Sequence, residues 1–254
     1  MARTFQDATQ YLSLATAIVT AYPFTVAAWA NSDDATLNQT IWSVGVSSTD
    51  NDMWRLQFRG ADAGDPVRLV SRNAAGAQND AITTTGYTAG TWHHACGVGA
   101  SATDRRVFID GGSKGTNTTS NTPAPTNITR IGLLARSSGG GRFDGPIAEV
   151  AVWNVALTDD EVLMLAKGLS PFAMRPGSLI SYIPLFGIQS PEPDWSGLNN
   201  HMTVNGTLAR ADHPPKINAV WLAPHPRLVQ VAQAAAAANP TYQPWYHRAP
   251  VLAQ

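Results

Sequence analysis

Charge is the scarcest property of this 254-residue sequence. Charged side chains make up 14% of the residues, against roughly 25% in an ordinary soluble domain, and the formal net charge is −1. Only three of the 17 basic residues are lysines. A chain with this balance has no general electrostatic attraction for nucleic acid or for an anionic membrane surface. We therefore expect neither nucleic acid nor a membrane among its partners.

Cysteine is nearly absent as well, since Cys96 is the single one in the chain. One cysteine excludes an intramolecular disulfide framework. Cys96 lies in a segment with the pattern of a strand, which favours a buried, unreactive thiol. The first residues lack the charged leader and apolar run of a signal peptide, and no stretch approaches the roughly 18 apolar residues of a membrane span. The sequence thus predicts synthesis in the cytoplasm without an ordinary export signal.

What fills the sequence instead is a series of short segments in which apolar and polar residues alternate. In 53–59, Trp54, Leu56 and Phe58 fall on one face and the polar residues on the other, which is the period of a half-buried strand. Glycine, asparagine, aspartate, serine and proline occupy the gaps. About ten such strands at this spacing predict an all-β, two-sheet antiparallel sandwich. The segments are 23–30, 40–46, 53–59, 67–72, 80–85, 91–98, 105–110, 128–134, 146–153, 179–186 and 201–205.

One short helix interrupts the strands. Thr158 and Glu161 have the spacing of a capping box, in which each side chain bonds the backbone N–H of the other residue. An apolar stretch follows, and then Lys167 and Gly168 provide a cation in the last turn and a glycine just beyond it. The acidic residues of the first turn are therefore explained by capping rather than by a metal or acid–base site.

The composition changes near residue 215. Residues 216–254 contain five prolines, an alanine run over 234–238 and several large apolar residues, but nothing from which a core could form. We predict a domain over 1–215 and an extended C-terminal arm over 216–254. Such an arm needs a partner surface to offset the entropy that it loses on ordering. The arm residues predicted to bind that partner are Trp221, Leu222, Leu228, Val229, Trp245 and Tyr246.

Five motifs follow one another in a fixed order between residues 92 and 161. They are Trp92-His93-His94, Phe108-Ile109-Asp110-Gly111, Ile131-Gly132, Phe143-Asp144-Gly145-Pro146-Ile147-Ala148-Glu149-Val150 and Asn154-Val155-Ala156-Leu157-Thr158-Asp159-Asp160-Glu161. This ordered set resembles the laminin-G-like family of jelly-roll domains, although an extra histidine, His93, stands between Trp92 and His94. The resemblance extends over about residues 5–215, and it implies a concanavalin A-like jelly roll as the fold.

The resemblance also implies a biological setting. The exit pattern, Asp194-x-Ser196-Gly197-x-x-Asn200 followed by Pro214-Pro215, looks like that of standalone laminin-G-like proteins encoded by bacteriophages and marine bacteria. On this basis we expect a non-enzymatic structural protein of a phage virion. It would be a capsid decoration or accessory protein whose arm binds the major capsid protein or other virion proteins. We would then expect the protein to be located in the virion and to form a homo-oligomer, for example a trimer. The alternative is a glycan-binding adhesin, in a tail fibre or on a cell surface, that recognises a host surface glycan.

The sequence lacks the residue patterns that the catalytic sites of this fold require. Laminarinase-type hydrolases of this fold supply their carboxylates from one strand as Glu-x-Asp-x-x-Glu, and here Ala151 stands where the aspartate after Glu149 should be. His93 and His94 are adjacent in a strand and point to opposite faces, so they cannot chelate one metal together. We predict no catalytic residues, no cofactor and no enzyme activity.

Two kinds of binding stay open. Many family members hold calcium at the rim of the sandwich through aspartates and loop carbonyls, although turn formation is the favoured explanation for such residues here. Sugar binding would need exposed aromatic side chains, whereas tryptophans in strands usually belong to the core. The calcium candidates are Asp33, Asp34, Asp144 and Asp194, and the aromatic candidates are Trp42, Trp54 and Trp195.

Overall fold

The structure, a computed structural model, describes residues 1–187 and 189–214. Within those residues the chain forms two antiparallel sheets of eight and seven strands, with one α-helix and two 3₁₀ helices. The predicted all-β sandwich is confirmed. The predicted arm lies outside the described residues, and so do its six candidate residues, Trp221, Leu222, Leu228, Val229, Trp245 and Tyr246. The two-part division at residue 215 stays a prediction.

The strands and helices have the following bounds. The eight-stranded sheet contains β1 (Ala2–Phe5), β3 (Phe24–Ala30), β8 (His93–Ser101), β9 (Asp104–Ile109), β10 (Gly112–Asn117), β12 (Gly145–Trp153), β13 (Leu179–Ile183) and β15 (Ala209–Ala211). The seven-stranded sheet contains β2 (Tyr11–Leu14), β4 (Asn38–Gly45), β5 (Met53–Arg59), β6 (Pro66–Arg72), β7 (Gln78–Gly86), β11 (Ile128–Ile131) and β14 (Thr203–Asn205). The helices are α1 (Asp159–Ala166) and the 3₁₀ helices Pro171–Ala173 and Pro176–Ser178.

Strand β12 has three neighbours in the eight-stranded sheet. The order of that sheet is β10-β9-β8-β3-β12-β1-β15, and β13 also pairs with β12. Along the edge that faces away from β3, β1 pairs with Gly145–Ile147 and β13 pairs with Val150–Trp153. The neighbour of β12 therefore changes at residues 148 and 149, which places Glu149 at the junction of three strands.

The main core lies between the two sheets. Trp54, Leu56 and Phe58 of β5 are wholly buried there, as their alternation predicts. The ring of Phe58 stacks on Tyr87 with 4.2 Å between centroids. Aromatic side chains bury the largest areas in such a core and therefore contribute much of its stability.

A second apolar layer covers the outer face of the eight-stranded sheet. Val162 and Leu165 of α1 pack there with Cys96 and other buried residues of β8 and β12. The capping box is confirmed, because Thr158 N–H donates to Glu161 Oε2 at 2.8 Å and Glu161 N–H donates to Thr158 Oγ1 at 3.3 Å. Burial raises the pKa of the Cys96 thiol. In the described part of the chain, α1 and the 3₁₀ helices are all too short and polar to cross a membrane.

Strand β11 ends earlier than the alternating pattern over 128–134 predicts. The chain leaves the sheet at Gly132, whose φ of +82° suits glycine and whose missing Cβ would lie 2.5 Å from the Phe5 ring. Beyond it, Ser43 Oγ donates to Leu133 O and accepts from Ala135 N–H, both at 2.8 Å. Residues 133–135 therefore lie against the outer face of the seven-stranded sheet.

Replacing Phe58 with alanine tests the assigned core. We expect the free energy of unfolding to fall by about 3–5 kcal/mol, because the variant loses a ring that is wholly buried and stacked. Urea denaturation followed by tryptophan fluorescence measures this. The control is Ile82→Ala on β7, where the side chain is 40% exposed and the loss should stay near about 0.5 kcal/mol. Equal losses in the two variants would contradict the assignment.

Candidate functional site

Trp195 is the most exposed of the tryptophans in the described residues. Its side chain is 42% exposed, whereas Trp42 and Trp54 are wholly buried between the sheets. The expectation that strand tryptophans belong to the core is thus confirmed for those two. Of the three aromatic candidates, only Trp195 can meet a ligand from solvent.

Two further aromatic rings flank Trp195. Phe186 approaches it edge-on with 5.1 Å between centroids, and Phe172 lies at 6.3 Å with the planes tilted by 34°. We call Phe172, Phe186 and Trp195 the aromatic surface. The sequence pattern did not group these residues, because Phe172 precedes β13 whereas Phe186 and Trp195 follow it, and the three rings meet only in the fold.

A hydrogen-bonded loop holds the aromatic surface in place. The buried carboxylate of Asp194 accepts N–H donors from Tyr182 (2.8 Å), Ser196 (3.0 Å) and Asn200 (2.9 Å), and the Ser196 hydroxyl donates to it as well (2.7 Å). Trp195 N–H donates to Tyr182 O at 2.8 Å, which fixes the loop along the outer edge of β13. A ring held in this way loses little conformational entropy when a ligand stacks on it.

Polar groups surround the aromatic surface. Asn200 Nδ2 donates to Ile180 O at 2.8 Å, Ser196 Oγ lies 3.3 Å from the same oxygen, and Asn199 is exposed between the two residues. An apolar ring bordered by hydroxyl and amide groups suits a ligand with one apolar face and hydroxyls at its rim. Sugar rings have this character.

Behind the aromatic surface lies a buried polar cluster centred on Glu149. Its carboxylate accepts from the Tyr182 hydroxyl, and its Oε1 lies 2.7 Å from His213 Nε2. Glu149 has a left-handed backbone, with φ of +56°, at a bulge in the pairing of β12 with β3. Phe172 links the cluster to the surface, because its ring meets Tyr182 edge-on at 4.9 Å. The strand junction thus aims a carboxylate inward under the site rather than toward solvent.

His94 occupies the other side of this cluster. Its ring meets Trp29 edge-on at 5.4 Å, and both residues line a cavity of about 20 Å³ together with Glu149 and Ser170. That volume holds about one water molecule. His94 Nδ1 is buried without a hydrogen-bond partner among the described residues, so a single water there would satisfy it. The cavity is therefore too small for a sugar.

The calcium candidates belong to three loops at two separate places in the fold. Asp33 and Asp144 are adjacent at one rim, where Asp33 N–H donates to Asp144 O at 2.9 Å. Asp34 follows in the same loop, and its carboxylate accepts from the Thr36 hydroxyl at 2.7 Å. Asp194 belongs to the Trp195 loop instead. The described residues include no group of three or more histidines, cysteines or carboxylates that could hold a metal ion, and calcium binding stays a prediction.

The buried His94 predicts a pH dependence of stability. Burial lowers the pKa of His94 from 6.5 to about 4, with Asp110 opposing the shift. Between those values the unfolded chain binds a proton that the folded chain does not, so stability falls as the pH falls. We expect His94 alone to lower the free energy of unfolding by about 3 kcal/mol between pH 7 and pH 4.

Urea denaturation at several pH values measures this effect. His94→Gln should flatten the dependence between pH 6.5 and 4. The control His201→Gln, at an exposed histidine, should keep the wild-type dependence. Equal slopes in the two variants would rule out His94 as the source.

Comparison with known proteins places the chain among jelly-roll domains. A laminin G-type family model, described as the concanavalin A-like lectin/glucanases superfamily, matches residues 6–163. No curated protein matches the chain. A match of this extent confirms the expected laminin-G-like family.

Several solved structures share the fold. A protein from Bacteroides ovatus, with carbohydrate binding provisionally assigned, is 22% identical at a TM-score of 0.60, over 85% of this chain and 61% of that one. A heptameric SAP-like pentraxin from Limulus polyphemus is 17% identical at 0.55, over 67% and 83%. Domain 4 of AbnA, an extracellular arabinanase from Geobacillus stearothermophilus in complex with arabinotriose, is 17% identical at 0.52, over 65% and 76%. The chain belongs to the concanavalin A-like lectin/glucanases superfamily.

Proposed function

We propose that this protein is a carbohydrate-binding module and that the aromatic surface around Trp195 is its sugar site. The observation that carries the proposal is an exposed tryptophan held rigidly by a buried aspartate and bordered by serine and asparagine side chains. A tryptophan ring offers a large apolar face on which the apolar face of a sugar ring can stack. The exposed amide of Asn199 beside it can bond sugar hydroxyls.

The fold family supports the proposal. Its description names lectins, and domain 4 of the Geobacillus stearothermophilus arabinanase was solved with arabinotriose. At 17% identity that likeness extends to the fold alone, so the position of the site rests on the residues of this chain. A glycan-binding adhesin is the alternative hypothesis drawn from the sequence, and the fold supports the glycan binding in that hypothesis.

We propose binding without catalysis. Glycoside hydrolysis needs two carboxyl groups that flank the scissile bond about 5–9.5 Å apart. Glu149 of β12, the glutamate compared above with the Glu-x-Asp-x-x-Glu motif, is buried and engaged by Tyr182 and His213. Its carboxylate thus supports the sheet junction rather than facing a bound sugar.

The virion role stays a prediction from the sequence. It depends on residues 216–254, which lie outside the described residues, and on a resemblance in the exit pattern. Neither the sandwich nor the family supplies an argument for a capsid location, a virion partner or a trimer. Glycan recognition is compatible with a tail fibre or a cell surface.

A glycan array probed with the full chain tests the proposed function. We expect saturable binding to one class of oligosaccharide. Trp195→Ala should weaken that binding at least about tenfold, or about 1.4 kcal/mol, because the stacking face is lost. The control Leu37→Ala removes an apolar side chain of similar exposure, 40%, outside the aromatic surface and should bind like the wild type.

Two outcomes would contradict the proposal in different ways. Absence of wild-type binding to every glycan on the array would contradict the function. Unchanged affinity in Trp195→Ala, with a clear wild-type signal, would contradict the location. Circular dichroism of each variant checks that the fold is kept.

A further inference from the structure

The outer face of the seven-stranded sheet is lined with arginines. Four of them belong to β5 and β6, and the antiparallel register brings them together: Arg55 lies opposite Val70, Gln57 opposite Arg68, and Met53 opposite Arg72. We call Arg55, Arg59, Arg68 and Arg72 the arginine face. These cations are concentrated on one sheet of a protein whose net charge is only −1.

The carboxylates of this face are already engaged by two of the four arginines. Asp62 pairs with Arg59 at 3.1 Å and with Arg68 at 2.5 Å, and Asp80 pairs with Arg68 at 3.0 Å. Neither Arg55 nor Arg72 has a carboxylate within 4.0 Å among the described residues. Within the part of the chain that the structure describes, two cations of the arginine face therefore lack a direct counter-ion.

Arg55 is the most buried of the four arginines. The residue is 6% exposed, and its Nη2 donates to Gln78 Oε1 at 2.8 Å. Its Nη1 lies 3.4 Å from Met53 Sδ, and its Nε has no hydrogen-bond partner in the described part of the chain. A weak sulfur acceptor and one amide leave most of the guanidinium's five N–H donors without strong partners.

Burial of an incompletely paired cation costs free energy unless an anion compensates it. Burial is also the main cause that lowers the pKa of Arg55 to about 10, and Arg59, Arg136 and Arg72 add to it. Asp80 opposes this shift without forming an ion pair with Arg55 among the described residues: its Oδ2 accepts from Arg68 and from Gln78 Nε2, and its Oδ1 has no hydrogen-bond partner there. Without a ligand, the positive charge of Arg55 is thus only partly compensated. Incomplete compensation of this kind is common at sites where a ligand supplies the opposite charge.

We propose that Arg55 is the centre of a site for one oxyanion group, the carboxylate or sulfate of an acidic sugar. Arg72 would complete the site from the next strand. Its Nε donates only to the neutral amide oxygen of Asn51, at 2.8 Å. The planar guanidinium matches the two oxygens of such a group with parallel hydrogen bonds. This site goes beyond the proposed function, because it lies on the sheet that does not carry Trp195.

Thermal unfolding of the full chain tests the site, with sodium glucuronate, sodium sulfate and glucose as probes at matched ionic strength. We expect glucuronate to raise the wild-type Tm by on the order of 3 °C at saturating concentration, and glucose to have no effect. A rise with sulfate as well would support a site for a free oxyanion, and a rise with glucuronate alone a site for an acidic sugar. No rise with either anion overturns the proposal.

Arg55→Met separates a binding role from a structural one. We expect this variant to lose the anion-dependent rise while its ligand-free Tm equals or exceeds that of the wild type, since an uncompensated cation is gone. Arg210→Met, at an exposed arginine of β15, should keep the wild-type response. A lower ligand-free Tm in Arg55→Met together with an unchanged anion response would overturn the proposal.

Two further variants keep the test decisive. If Arg55→Met does not fold, Arg72→Gln should reduce the glucuronate response, and an undiminished response there counts against the site. Trp195→Ala should keep the full anion response. The oxyanion site is therefore tested by the arginine variants and the sugar site by Trp195→Ala, so that either proposal can be contradicted without the other.

Discussion

The hydrogen-bonding capacity of β12 is the constraint on which the rest of the domain depends. One edge of this central strand pairs with β3, and the other edge is divided between β1 and β13. A strand can serve two neighbours on one edge only if the backbone rearranges between them. Glu149 adopts its left-handed conformation at that point. The first strand of the domain and the strand beside the aromatic surface are thereby joined to the same scaffold.

The polar groups under the aromatic surface follow from this junction. A bulge turns Glu149 toward Tyr182 and His213, and the pair compensates a carboxylate that is otherwise buried. Asp194 then ties the next loop to the edge of β13 through Tyr182 N–H. Asp194, Ser196 and Asn200 of this loop are bonded inward, whereas Trp195 and Asn199 are exposed. The same set of hydrogen bonds therefore holds the aromatic surface in place and satisfies the buried carboxylates of Glu149 and Asp194.

The two sheets carry different chemistry on their outer faces. The eight-stranded sheet is covered by α1 and the loops around it, which leaves an apolar platform at Trp195. The seven-stranded sheet keeps polar side chains outside, and Arg55 and Arg72 among them lack carboxylate partners in the described residues. Stacking on a tryptophan suits a neutral sugar face, whereas guanidinium groups suit an oxyanion. One small sandwich thus presents an aromatic surface on one sheet and a cationic face on the other.

The sandwich, the core side of β5 and the capped helix could be predicted from the sequence, because period-2 alternation and capping are local properties. The sequence also identified Trp195 as an aromatic candidate, but it did not separate that residue from the buried Trp42 and Trp54. The remaining features follow from the three-dimensional arrangement of the strands. Exposure, the grouping of Trp195 with Phe172 and Phe186, and the missing counter-ion of Arg55 all depend on which distant segments the strand pairing brings together, and no local pattern encodes those contacts.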